Sequence, residues 1–217
     1  VNRAQLLGPV LALALLPSSV TAAIITLLRA EWHINATEAG WLTSAYQLGY
    51  VVSVLFILPL TDRIHTGKVI AACAIITTVS FILFPLLAHD LWSATVFRFL
   101  AGLGLAGIYM PGVRVIAASA APQRRGFAVG FYVGSFYLGT ALSLWAAGAL
   151  LNYVTWRTMA LLLGGSSLMA LPFALIATRD FAAPSGQRAS LDLSVIKNGP
   201  VLRTILANTG HSWELYV

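Results

Sequence analysis

Six apolar runs, each long enough to cross a bilayer, follow one another along most of the chain. They read Leu6–Leu28, Ala39–Leu60, Val69–Ala88, Ala94–Ser119, Phe127–Val154 and Thr158–Ala177. A spanning helix needs about 20 mostly apolar residues, and a barrel strand only about 9–11. In hydrocarbon every backbone N–H and C=O must be paired within its own segment, so runs of this length are helices. Composition agrees: 59% of residues are hydrophobic and 9% are charged, against roughly 25% charged in soluble domains. The chain therefore reads as an all-α membrane protein, a bundle of six transmembrane helices with the bilayer as its first partner. The net charge of +6 comes from bases scattered between apolar runs. No basic stripe forms, and no nucleic-acid partner is expected.

Orientation follows from the same bases, because cytoplasmic loops collect Lys and Arg. With the N-terminus inside, Arg3, Arg63, Lys68, Arg124, Arg125, Arg179, Arg188, Lys197 and Arg203 fall on the inner side, and Arg29 and Arg157 on the outer. A cytoplasmic N-terminus is the expectation. The first run exceeds the usual h-region of a signal peptide and lacks a small-x-small cleavage site after it, so it reads as a retained helix. Residues 179–200 are polar and rich in Pro, Gly and Ser, and read as a cytoplasmic linker. A seventh apolar run opens at Val201 and stops at Val217, too short to cross. The expected organisation is a bundle over 1–178, a linker over 179–200, and the start of a seventh helix over 201–217.

Polar residues inside spans are costly and mark function. In the fourth run Arg98, Gly102, Leu105, Tyr109 and Gly112 recur at three- and four-residue steps and share a face. A guanidinium costs about 2.5–3.5 kcal/mol at mid-membrane, so Arg98 should face a water-filled cavity or a partner, or else snorkel outward. Arg114, near the inner end, reads as snorkelling. Tyr46, Gln47, Tyr50, Tyr109, Tyr132 and Tyr137 are further cavity candidates, with plain helix packing as their alternative. Gly102, Gly130, Gly134 and Gly139 read as helix-packing residues, since small side chains let helices approach closely in lipid. All seven Asp and Glu residues lie outside the six runs, which favours an anionic or zwitterionic solute over a cation. Glu214 stands about 13 residues, or ~20 Å, into the seventh run. With His211 one turn earlier, it is a candidate for ion coupling. Trp32, His33, Trp41, Trp92 and Trp156 read as interfacial anchors. Asn35-Ala36-Thr37 fits the glycosylation pattern. The single Cys73 reads as a small buried side chain. No catalytic constellation, metal-ligand spacing or cofactor motif stands out.

Between the second and third runs lies LTDRIHTGKV, an island of charge in residues 60–69. Leu60, Asp62, Arg63, Gly67 and Lys68 match in kind the inner-loop signature G-x-L-x-D-R-x-G-R-R. Leu58 stands at the leading Gly, and Arg63 to Gly67 is two residues longer. The fourth run opens RFLAGLGLAG, the next loop reads PQRRGFAVG, and Trp156-Arg157 precedes the sixth run. In this order the motifs resemble the major facilitator superfamily, with a flavour of its cyanate- or drug-transporter-like branches. Gly130, Gly134 and Gly139 echo its Gly-rich antiporter pattern, with Ser135 where that pattern has Pro.

The resemblance implies a secondary transporter in the cytoplasmic (inner) membrane of a bacterium, completed by a C-terminal half. A small solute would move by alternating access with proton coupling, and neither a cofactor nor a metal is implied. Asp62 and Arg63, with Gly67 and Lys68, would form an inner gate. The competing reading is a membrane-embedded enzyme or a scaffold without transport.

Overall fold

The computed structural model describes residues 6–177, 198–203 and 206–207. The chain divides into two compact units, Val1–Ser185 and Gly186–Val217. In the second unit residues 199–203 are helical. The first unit is built from α1 (Leu7–Leu15), α2 (Val20–Trp32), α3 (Ala36–Val52), α4 (Thr66–Leu87), α5 (Leu91–Ser119), α6 (Arg125–Leu150) and α7 (Trp156–Ala177). These make six candidate spans: Leu7–Trp32, Ala36–Asp62, Thr66–Leu87, Leu91–Ser119, Pro122–Leu150 and Trp156–Ala177. The expected runs are all present. Their ends shift by a few residues, because polar caps extend helices beyond the apolar stretch.

Those caps are specific. Asn35 accepts from the Glu38 amide at 2.9 Å while the Glu38 carboxylate accepts from the Asn35 amide at 2.8 Å, a reciprocal capping box. The glycosylation-like Asn35 is thus the N-cap of α3. Asp90 caps α5 in the same way. Ser93 Oγ donates to the Asp90 carboxylate at 2.7 Å and holds its pKa below the usual value.

Two spans are irregular, and proline explains both. Pro17 offers no N–H to Leu13 O and ends α1. The freed Leu13 carbonyl is met by Leu16 N at 3.3 Å and by Ser166 Oγ of α7 at 3.4 Å. The chain restarts as α2 after the break at 16–19. Ser19 N donates there to Ser143 Oγ of α6 at 2.9 Å. In the second span Pro59 has the same effect. Residues Ser53–Ile57 widen into a π turn, and Pro59–Asp62 tighten into a 3-10 turn. Neither irregularity shows in the apolar pattern, in which each run is continuous like one regular helix.

α5 is the central element, packed against α3, α4 and α6, while α1 lies against α6 and α7. Its glycines make that possible. A Cβ on Gly102 would overlap the Tyr46 carbonyl oxygen of α3, and one on Gly49 of α3 would overlap the Phe99 carbonyl oxygen of α5. The two glycines are reciprocal, so the backbones touch. Gly104 and Gly107 receive α4 at Thr77 and Cys73. Cys73 is buried, as expected. Gly139 packs on Ala12, whereas a Cβ on Gly130 or Gly134 would meet nothing. Those two glycines thus have no packing partner among the described residues. α6 turns them outward on its open face, beside the exposed Phe127, Phe131 and Tyr137.

Candidate functional site

Arg98 lies in the third turn of α5, about 10 Å from the start of that helix at 1.5 Å per residue. It is 6% exposed. Of the alternatives for its surroundings, it is the partner that the fold supplies: the guanidinium turns inward onto two other spans. Its Cζ stands 4.3 Å from the centre of the Tyr46 ring, a cation–π arrangement. Its Nη1 donates to the carbonyl of Ser18, in the break of the first span, at 3.4 Å. The broken helix, α3 and α5 thus meet around one buried positive charge. Ser18 Oγ, Tyr46 Oη and Arg98 Nε are all buried with no hydrogen-bond partner among the described residues. Unpaired buried polar atoms are rare in native proteins, and here Arg98 touches both of the other two residues.

The remaining cavity candidates fall elsewhere. Tyr109 and Tyr132 stack at 5.9 Å with an interplanar angle of 9°. Phe136 and Tyr137 extend this aromatic group. Tyr132 is fully buried and donates to Ile108 O at 3.4 Å. A Cβ on Gly112 would overlap its hydroxyl, so Tyr132 fills a slot in α5 and serves packing. Tyr109 is about 16 Å along α5 from Arg98, so the two belong to separate clusters. Gln47 is exposed next to Tyr46. His211 and Glu214 lie outside the described residues.

In the inner-loop island Asp62 pairs with Arg114 of α5 across 3.0 Å. Arg114 also reaches Thr61 Oγ1 at 3.4 Å. The physical reason is geometric: neighbouring residues on a helical turn point apart, and the 3-10 turn after Pro59 aims Asp62 at α5. Arg114 is thus an ion-pair partner rather than a snorkelling base. Gly67 is the second residue of α4, and its amide donates to Nδ1 of the capping His65 at 3.1 Å. Arg63 and Lys68 have no ion pair among the described residues and stand exposed.

At the opposite end a clasp joins three spans. Glu31 accepts from Trp156 Nε1 at 2.7 Å and from Arg157 Nη2 at 2.8 Å. Arg157 Nη1 donates to Pro85 O at 3.0 Å and Ala88 O at 3.2 Å, capping carbonyls that α4 leaves open at its C-terminus. Trp156 is 8% exposed and packs on Trp32 and Phe84. It is a core residue, not the interfacial anchor expected, whereas Trp41 and Trp92 are exposed. Arg157→Ala should destabilise the bundle by about 1–3 kcal/mol. Thermal unfolding in detergent checks this, with Arg157→Lys keeping only part of the loss from appearing.

The chain is 26% identical over 59% of its length to an uncharacterised transporter, YgaY, of Escherichia coli O157:H7, and covers 32% of that protein. It is 27% identical over 68% of its length to a benzoate transport protein of Acinetobacter baylyi, and covers 33% of it. The chain therefore spans about a third of the length of these relatives. Among solved structures it resembles a bacterial homologue of the human lysosomal transporter Spinster, in an inward-facing and unoccupied conformation. That match has a TM-score of 0.70 at 17% identity, over 90% of this chain and 48% of that one, and shows the fold. The sequence profile of the Major Facilitator Superfamily matches residues 7–213. This integral, multi-pass membrane protein belongs to the Major Facilitator Superfamily.

Proposed function

We propose that the chain is the N-terminal half of a secondary transporter that moves a small organic anion by alternating access. The observation that carries this reading is Arg98, a cation buried at 6% exposure where three spans meet at a broken helix. Discontinuous helices in transporters hold their solutes near such breaks. A buried cation with spare hydrogen-bonding capacity suits an anion. The relative named for benzoate transport supports an organic carboxylate as the first solute to try. The bundle over 1–178 would be joined by the linker over 179–200 to a second half that opens at 201–217. The bias of Lys and Arg supports a cytoplasmic N-terminus, and the relatives named above support a bacterial inner membrane. Proton coupling would fall to Glu214 with His211, in the seventh apolar run.

The test is solute flux with the complete protein in proteoliposomes. Saturable benzoate uptake, accelerated by an inward proton gradient, is the expected result. Glu214→Gln should remove the acceleration. Uptake indistinguishable from empty liposomes, for benzoate and for a panel of small organic anions, overturns the reading.

A further inference from the structure

We infer that Arg98 recognises its solute as a side-on carboxylate fork, which makes the substrate class a monocarboxylate. The inference rests on the anion-transport reading above and adds the stereochemistry of recognition. A guanidinium has two faces and distinct hydrogen-bonding edges. In Arg98 one face is covered by the Tyr46 ring at 4.3 Å. Nη1 is committed to the Ser18 carbonyl at 3.4 Å. Nε is buried and without a partner. The Nε–H and Nη2–H bonds of an arginine run parallel along one edge, and that edge matches the two oxygens of a carboxylate. Neither the Tyr46 ring nor the Ser18 carbonyl occupies this edge.

The surroundings favour the same ligand. Tyr46 Oη and Ser18 Oγ, on the two residues that touch the guanidinium, are buried hydroxyls without partners, and each can donate to a carboxylate oxygen. The Tyr46 backbone is fixed, because its carbonyl lies against Gly102. A carboxylate in the fork lies in the guanidinium plane at that edge, so the Tyr46 ring can stay over the face. A cation gains nothing here, and a neutral amide can accept from only one of the two parallel N–H groups.

The experiment is equilibrium binding to the complete protein in nanodiscs, with benzoate, benzamide and benzylammonium as isosteric probes. Benzoate should bind about 10- to 100-fold more tightly than benzamide, as charge-assisted paired hydrogen bonds predict, and benzylammonium should bind least. Arg98→Lys keeps the charge and removes the fork. It should shrink the benzoate-to-benzamide ratio at least about tenfold. Tyr46→Phe keeps the ring but removes one donor to the carboxylate, and should shrink the ratio less than Arg98→Lys does. Equal binding of the three probes by the unaltered protein, absence of benzoate binding, or an unchanged ratio in Arg98→Lys overturns the fork. Flux measured in parallel separates the two readings. Uptake that persists with an unchanged ratio sinks the fork alone, and fork-dependent binding without uptake sinks the transport reading alone.

Discussion

Gly102→Ala and Gly49→Ala are each expected to cost at least about 3 kcal/mol, or to prevent assembly of the bundle altogether. At Gly102 the added methyl would overlap the Tyr46 carbonyl oxygen, and at Gly49 the Phe99 carbonyl oxygen. Both obstacles are backbone atoms of a facing helix. No rotamer change relieves them, so α3 and α5 must separate along their whole crossing. Lipid offers no hydrophobic drive to recover the lost contact. Gly130→Ala and Gly134→Ala are the internal control. A methyl there meets nothing in the bundle, and alanine favours a helix over glycine by about 1 kcal/mol. Size-exclusion profiles and thermal unfolding of the four variants in detergent check the contrast. Comparable losses at all four positions would show that the α3–α5 crossing is not the tight point.

The apolar runs were legible because the bilayer demands them, and hydrocarbon leaves helices as the available solution. Gly102 was legible as a packing residue because it recurs on one face with Arg98 and Leu105. Its partner Gly49 was not, because a single glycine in a helix carries no sign of which backbone lies opposite. The break at 16–19 had a signal in Pro17-Ser18-Ser19, and the π turn had one in Pro59. Averaging hydropathy over a long window hides both. Arg98 could be read as costly to bury, since that follows from charge alone. That Tyr46 and the Ser18 carbonyl would receive it depends on helix rotation, which sequence spacing does not specify. Trp156 shows the same limit. Its position near a span end suits an interfacial anchor, and only the fold brings Glu31 to its indole N–H.

Asp62→Asn should lower the initial rate of uptake about tenfold, a barrier change of about 1.4 kcal/mol, while leaving insertion and folding intact. The pair it breaks is partly wet: the Asp62 side chain is 15% exposed and that of Arg114 is 54% exposed. Exposed ion pairs contribute about 0–1 kcal/mol to stability, so Arg114 can be hydrated once its partner is neutral. The proposed role is conformational. The pair ties the end of the second span to α5 at one face of the bundle, where it would bias one access state of the transporter. The partner can be identified by non-additivity. If Arg114 is what Asp62 acts through, Arg114→Gln alone and the double variant Asp62→Asn with Arg114→Gln should both match the single aspartate variant. Arg63→Gln should retain most of the activity, since Arg63 is exposed and outside the pair. Should Arg63→Gln instead reproduce the loss while Arg114→Gln does not, the charged island acts through its own neighbour and the contact with α5 is incidental. Should Asp62→Asn unfold the protein, the role is structural. Uptake rates in proteoliposomes, normalised to folded protein by size-exclusion, distinguish the three outcomes.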